Sequence, residues 1–189
     1  MSAHDVPLTV GAAAGVSDIA DATHRRHGAV FGTTVHQALG LLLARRAPDA
    51  AAAVAHAAHI AGLHDALTAD AIADVTRAFA TLREAGYTEL PAGQCRLEYA
   101  LGGREASGAH FLHGFADLVA HTHTSVDILD FKTDAPPSAN GASIAESYPA
   151  YAAQVRLYAQ LLRDSGVTGL LPIRAGLLFS ADGSVHWVD

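Results

Sequence analysis

One apolar stretch, residues 126–134 (VDILDFKTD), restricts what this chain can fold into more than any other. Its valine, isoleucine, leucine and phenylalanine side chains predict a buried strand. Successive side chains of a strand point to opposite faces, so Asp130 and Lys132 share one face, roughly 7 Å apart, while Leu129 and Phe131 share the other. Aspartate disfavours strands and is costly to bury unpaired. The position of Asp130 in this strand therefore requires an explanation.

Three helical patterns precede the strands. The first is predicted over residues 33–44, capped by Thr33 or Thr34, with an apolar stripe facing the core and His36 in its first turn. The second is an alanine-rich helix over residues 50–63, and the third covers about residues 69–85 and ends before Gly86. The first part of the chain is therefore expected to be mainly helical.

After Pro91 the apolar period changes to that of strands. On the first strand we expect Cys95, Leu97 and Tyr99 on one face, and Glu98 on the other. The turns between the strands are short, which predicts an antiparallel meander. The three strands of this meander are predicted at residues 94–101, 110–120 and 126–134, with a glycine-rich turn at residues 102–108.

A last helix and two strands complete the pattern. Residues 135–147 are rich in Pro, Ala and Ser and predict a loop, and residues 147–163 predict a helix. Tyr151, Gln154 and Tyr158 have spacings that place them on one face of that helix. The two closing strands are predicted at residues 173–180 and 184–188.

Asp117 and Asp130 occur in similar apolar settings on neighbouring strands, and two carboxylates are the ligands that Mg²⁺ takes from proteins. A divalent cation can withdraw charge from a phosphodiester and activate a bound water. Lys132, on the face of Asp130, could orient that water and offset charge in the transition state. The alternative is that Asp130 and Lys132 form an exposed salt bridge on the wet face of a sheet. For residues 126–134 alone, that alternative is at least as good.

Five segments, in this order, resemble the PD-(D/E)XK nuclease superfamily, and specifically the RecB/AddA-type nuclease domain of bacterial helicase–nucleases. They cover most of the chain after residue 30. The segments are GTTVHQAL at 32–39, LEYAL at 97–101, GFADLVA at 114–120, ILDFKTD at 128–134 and YAAQVRLYAQLL at 151–162.

The resemblance implies a role for each matching residue. His36, Asp117, Asp130 and the carbonyl of Phe131 would bind Mg²⁺ or Mn²⁺, and Lys132 would be the catalytic lysine. Three further groups would support them. These are Glu98 as an acidic residue that either contacts the metal ligands or binds a second metal, Thr133 as a support for Lys132, and Gln154, Tyr158 and Tyr151 as residues that brace the site or contact DNA.

The resemblance implies an α/β, restriction-endonuclease-like fold: a small mixed sheet with an antiparallel meander, flanked by helices, and a helical N-terminal part. The expected organisation is a lead-in segment at residues 1–28, followed by one nuclease domain at 29–189, mainly helical over 29–90 and with the nuclease core at 94–189. The expected function is hydrolysis of DNA phosphodiester bonds, in single strands handed over by a helicase in recombination or repair. The alternative is a catalytically inactive module that binds DNA or assembles with a partner.

Charge and cysteine content bear on partners and cofactors. The formal net charge is −7, whereas DNA binding usually depends on lysine and arginine. A basic partner or a larger parent chain would resolve this conflict, and the motor loop G-x-x-x-x-G-K-[S/T] is absent from the sequence. The single cysteine, Cys95, excludes a four-cysteine iron–sulfur cluster within the chain. No apolar run reaches the length of a membrane span, so we expect a cytoplasmic protein without membrane contacts.

Overall fold

The computed structural model describes residues 26–104, 111–137 and 143–188 of the chain. Helices and strands within these ranges alternate in blocks: three helices, three strands, two helices and two strands. The helices are α1 (Ala29–Leu43), α2 (Ala50–Ala61), α3 (Thr68–Glu84), α4 (Ile144–Ser147) and α5 (Pro149–Asp164). The strands are β1 (Cys95–Arg104), β2 (Phe111–His121), β3 (Val126–Lys132), β4 (Ile173–Phe179) and β5 (Ser184–Val188).

The first helix begins four residues before the predicted start at Thr33. Phe31 is fully buried and extends the apolar stripe of Val35 and Leu39 toward the N-terminus, so burial favours a longer helix. The Thr34 hydroxyl donates to the carbonyl of Val30 inside the helix, at 2.8 Å, instead of capping it. The other two helices agree with prediction to within two residues at each end.

The sheet has five strands in the order β1-β2-β3-β4-β5. The first three form the predicted antiparallel meander. Strand β4 lies parallel to β3, so the chain must cross over between them, and α4 and α5 form this crossover. Strand β5 returns antiparallel to β4 at the edge of the sheet.

Two hydrophobic cores lie on the two faces of the sheet. The core with α1, α2 and α3 contains Leu118, Leu129 and Phe131, and the core with α4 and α5 contains Val126 and Ile128. Leu129 and Phe131 therefore point away from α5, as predicted for the strand that carries Asp130. The fold prediction of a mixed α/β sheet, flanked by helices and with a helical N-terminal part, is confirmed.

The predicted alternation along β1 is wrong beyond Leu97. Cys95 and Leu97 pack into the core of α1–α3, whereas Tyr99 packs into the core of α4 and α5. The reversal occurs at Glu98, whose φ of +47° lies in the left-handed region that a non-glycine strand residue seldom adopts. The register is the same on either side of Glu98, pairing Leu97 with Leu118 and Tyr99 with Ala116, but Glu98 itself is not among the paired residues.

Two segments differ from the predicted loops. Strand β1 continues to Arg104 into the predicted glycine-rich turn, and residues 105–110 lie outside the described ranges. Within the predicted loop at 135–147, α4 forms because Ser143 and Glu146 make a reciprocal capping box. Residues 138–142 of the same segment lie outside the described ranges. In the part of the chain that the structure describes, no helix combines the length and the apolarity needed to span a membrane.

Candidate active site at the fork between two strands

The site lies where β2 and β3 separate. Their pairing ends at Leu118 and Leu129, so the backbone of β3 beyond this point faces an open fork. The carboxylate of Asp117, the next residue of β2, enters this fork and its Oδ2 accepts a hydrogen bond from the backbone N–H of Phe131 at 2.6 Å. The N–H and C=O of one strand residue face the same neighbour, so the carbonyl of Phe131 also points to the side of β2.

Helix α1 brings His36 to the same carboxylate. Its Nδ1 lies 3.2 Å from Oδ1 of Asp117, and its ring packs edge-on against Phe131 with centroids 5.8 Å apart. The side chains of His36 and Asp117 are 30% and 13% exposed. Burial lowers the pKa of His36, but the hydrogen bond to Asp117 and the charges of Asp117 and Asp130 outweigh it, so the pKa is raised. The fork thus holds an imidazole and two carboxylates that influence one another.

The predicted pair on β3 is close and buried. Nζ of Lys132 lies 2.5 Å from Oδ2 of Asp130, with side-chain exposures of 15% and 6%. Among the described residues, no donor other than this ammonium reaches Oδ2 of Asp130. Burial and the nearby charge of Asp117 raise the pKa of Asp130, and the charge of Lys132 only partly offsets them. An exposed salt bridge on a wet sheet face is therefore excluded.

Three polar residues on one face of α5 lie near Lys132, two of them in direct contact with its ammonium and the third through Gln154. The ammonium lies 4.0 Å from the ring centroid of Tyr151 and donates to Oε1 of Gln154 at 3.4 Å. Nε2 of Gln154 in turn donates to the hydroxyl of Tyr158 at 3.0 Å. The hydroxyl of Tyr151 donates to Asp134 at 2.8 Å. Burial and this hydrogen bond raise the pKa of Tyr151 to about 12, so the phenol stays neutral while it packs on the cation.

Glu98 and Thr133 lie at the margin of this arrangement. Glu98 is exposed and shares the lining of a groove of about 450 Å³ with His36, while the neighbouring Arg96 packs over Tyr99. Thr133 is nearly buried, and its carbonyl hydrogen-bonds to Nδ1 of His27, just before α1. The contacts of Thr133 are thus with the start of α1 rather than with the Lys132 side chain.

Two residues of the site were not predicted. Gly114 lies directly beneath Tyr158, since a Cβ built at this glycine would stand 2.7 Å from the ring. Asp134 holds the hydroxyl of Tyr151. Both belong to segments that the sequence singled out, but only the packing of α5 over β2 and β3 reveals what they contact.

The residues at the fork fit a hard divalent cation. Two carboxylates, one imidazole and a backbone carbonyl form a donor set suited to Mg²⁺ or Mn²⁺. A buried carboxylate oxygen whose one partner is an ammonium, at Asp130, is the kind of atom that could coordinate a metal ion in its place. Over residues 26–104, 111–137 and 143–188, however, no three His, Cys, Asp or Glu side chains already surround a common point closely enough to coordinate an ion. The contacts between His36 and Asp117 and between Lys132 and Asp130 would have to open for binding.

The fold and the fork together define a class. A mixed α/β sheet that presents two carboxylates, an imidazole and a lysine where two strands separate is the architecture of a nuclease-type hydrolase. The model of the PD-(D/E)XK nuclease superfamily matches residues 12–185, so the chain belongs to this superfamily. Membership indicates a metal-dependent nuclease acting on DNA. A comparison with curated proteins gave no match.

Proposed function

We propose that this protein is a Mg²⁺- or Mn²⁺-dependent deoxyribonuclease whose site is the fork between β2 and β3. The observation that carries the proposal is the state of Asp130. Its carboxylate is buried beside that of Asp117, its pKa is raised, and no donor other than the ammonium of Lys132 reaches its Oδ2 among the described residues. Such an arrangement is unfavourable for the folded protein alone and is explained by a cation that the site takes up in use.

His36, Asp117, Asp130 and the carbonyl of Phe131 are the proposed ligands. When bound there, the ion would withdraw charge from the phosphoryl group and lower the pKa of a bound water. Lys132 would release Asp130, orient the attacking water and offset the negative charge that develops on the phosphate oxygens. Glu98, exposed beside His36, is proposed to act as a further carboxylate near the substrate.

Helix α5 would position the lysine. Tyr151 and Gln154 contact the ammonium of Lys132 from two directions, and Tyr158 holds Gln154. An ammonium on a flexible stem loses less freedom in the transition state if its position is fixed beforehand. Thr133 would contribute indirectly, because it joins the end of β3 to the start of α1, which carries His36.

We further propose that the protein is of the RecB/AddA type and cuts single strands delivered by a helicase. The order of the five matching segments supports this subfamily. The net charge of −7 supports a partner, because a chain this acidic has little electrostatic attraction for DNA on its own. A helicase that feeds a single strand to the fork would replace that attraction.

A nuclease assay tests the proposal. Purified wild-type protein and the variants Asp130→Asn and Lys132→Ala are incubated with single-stranded DNA, duplex DNA and RNA of equal length, with Mg²⁺, Mn²⁺ or EDTA. We expect cleavage of single-stranded DNA by the wild type with either cation, none with EDTA, and a loss of at least 100-fold in both variants. Failure of the wild type on every DNA substrate would refute catalysis by this chain and favour an inactive binding module. Preferential cleavage of RNA would reassign the substrate.

A further inference from the structure

Three exposed rings lie in a row on β2. Phe111 and Phe115 are 68% and 58% exposed, which is unusual for side chains of this size, and His113 between them is also exposed. Neither phenylalanine belongs to either core of the described residues. Exposed aromatic clusters on a folded protein commonly mark a binding surface.

The row results from the change in side-chain alternation at Glu98, where the residues of the β1–β2 hairpin exchange faces. Beyond it, Leu112 and Ala116 point toward α5, and Tyr158 packs directly on Gly114. The alternate residues, Phe111, His113 and Phe115, must therefore point to the opposite face of the hairpin.

This opposite face is open because β1 presents small residues there. Ala100 pairs with Phe115, and Gly102 pairs with His113. A Cβ built at Gly102 would stand 3.2 Å from the ring of Phe111. The ring therefore packs against the backbone of Gly102, where a side chain would leave it little room. No bulky side chain of β1 pairs with the two rings nearest the site, and their faces remain available to a ligand.

The row leads into the proposed site. Phe115 precedes Asp117 by two residues on the same strand, roughly 7 Å, and His113 and Phe111 follow outward at the same interval. The hydroxyl of Tyr158, which holds Gln154, also interacts with the backbone of Phe115. A strand bound along these rings would approach the carboxylate of Asp117 at the fork.

We propose that Phe111, His113 and Phe115 form a stacking platform for the unpaired bases of the nucleic-acid strand that enters the site. This proposal rests on the proposed function. Aromatic side chains bind single strands by stacking on bases of any sequence, which needs no positive charge and so suits a chain of net charge −7. A duplex would bury its base faces within its own stack, so the occupant is a single strand.

Binding to a fluorescently labelled oligothymidylate, measured by anisotropy in EDTA, tests the platform. Replacement of one ring, Phe111→Ala or Phe115→Ala, is expected to weaken binding by about 5- to 100-fold. The matched control is Leu170→Ala, which removes a fully exposed apolar side chain that does not belong to the hairpin. An abasic strand of equal length supplies the phosphates without the bases, and we expect it to bind equally weakly to the wild type and to both variants.

Three results would overturn the platform: unchanged affinity in both phenylalanine variants, equal weakening by Leu170→Ala, or the same weakening on the abasic strand. Wild-type dimers in sedimentation velocity that dissociate in the Phe111→Ala variant would instead assign the rings to a contact between copies. Folding of each variant is checked by circular dichroism.

Kinetics separates this inference from the proposed function. If the platform acts on bases, the phenylalanine variants lose more kcat/KM on the oligonucleotide than on bis(4-nitrophenyl) phosphate, which has no base to stack. Base-dependent binding through Phe111 and Phe115 without any hydrolysis would support the platform and refute the nuclease. Hydrolysis that depends on Asp130 but loses equally on both substrates would refute the platform and leave the nuclease in place.

Discussion

Nζ of Lys132 stands 2.5 Å from Oδ2 of Asp130, and no other donor among the described residues reaches that buried oxygen. Three residues earlier on the same strand, Asp127 is equally buried and fully satisfied. Its oxygens accept from Ser125 at 2.8 Å, from Tyr87 at 2.8 Å and from Arg174 at 2.6 and 2.8 Å. One strand thus carries a carboxylate built for stability and another that the folded protein tolerates at a cost.

Replacing Asp130 should stabilise the protein. Burial and the charge of Asp117 raise the pKa of Asp130 in the folded protein. Any stabilisation that Asp130 gives is therefore fully present below its ordinary pKa, and it is lost as the pH rises through the raised pKa of the folded state. At pH 7, Asp130→Asn is expected to increase the free energy of unfolding by about 0.5–2 kcal/mol while activity is lost. Urea denaturation at pH 7 and at pH 3.5 measures the effect, and the gain should shrink at the lower pH. A destabilised variant at pH 7 would contradict this account of Asp130.

Replacing Asp127 should instead destabilise the protein. Burial opposes ionisation of Asp127, but hydrogen bonds from Arg174, Ser125 and Tyr87 outweigh it and lower its pKa. Its contribution is therefore present above the ordinary pKa of 3.8 and lost as pH falls through the lowered folded value. Asp127→Asn is expected to destabilise the protein by about 1–3 kcal/mol at pH 7, and by less in strong acid. The same urea series, extended into strong acid, checks this, and equal losses at pH 7 and in strong acid would count against it.

The contrast between Asp127 and Asp130 also shows what could not be predicted from the sequence. Alternation predicted that Asp130 and Lys132 share a face, and the spacing of Gln154 and Tyr158 placed them together on α5. Nothing in the pattern distinguished Asp127 from Asp130, because the difference depends on Arg174 and Tyr87, which are distant in sequence. The reversal at Glu98 was equally hidden, since a left-handed backbone at a glutamate has no sequence signature. It is this reversal that exposes Phe115.

The hydroxyl of Tyr158 is expected to matter for rate more than for stability. It holds Gln154 at 3.0 Å, and Gln154 contacts the ammonium of Lys132. Tyr158→Phe keeps the ring over Gly114 but frees Gln154, so kcat should fall by about tenfold, with the free energy of unfolding changed by about 1 kcal/mol or less. Steady-state cleavage of single-stranded DNA and urea denaturation provide the two readouts. An unchanged kcat would mean that Gln154 does not position the lysine.

Two glycines should respond oppositely to alanine. A Cβ at Gly114 would stand 2.7–3.1 Å from three atoms of Tyr158, so Gly114→Ala must push that ring and Gln154 away from Lys132. We expect a loss of stability of about 1–3 kcal/mol and a lower kcat. Gly40 lies within α1 and has open space where its Cβ would stand, so Gly40→Ala should stabilise the protein by about 1 kcal/mol through helix propensity. Thermal unfolding of the two variants side by side measures both effects, and a harmless Gly114→Ala would show that Tyr158 is free to move.

Cation binding should depend on Asp130 and Asp117 and not on Asp127. A ligand that binds only the folded state stabilises it by about 2.7 kcal/mol at 100 times its Kd. Mg²⁺ or Mn²⁺ is therefore expected to raise the unfolding temperature of the wild type, reversibly on addition of EDTA, and to leave that of Asp130→Asn and Asp117→Asn unchanged. Asp127→Asn is the matched control on β3 and should keep the full shift despite its lower starting temperature. If Asp130→Asn shifted as much as the wild type, the cation would bind elsewhere, and the burial of Asp130 beside Asp117 would need another explanation.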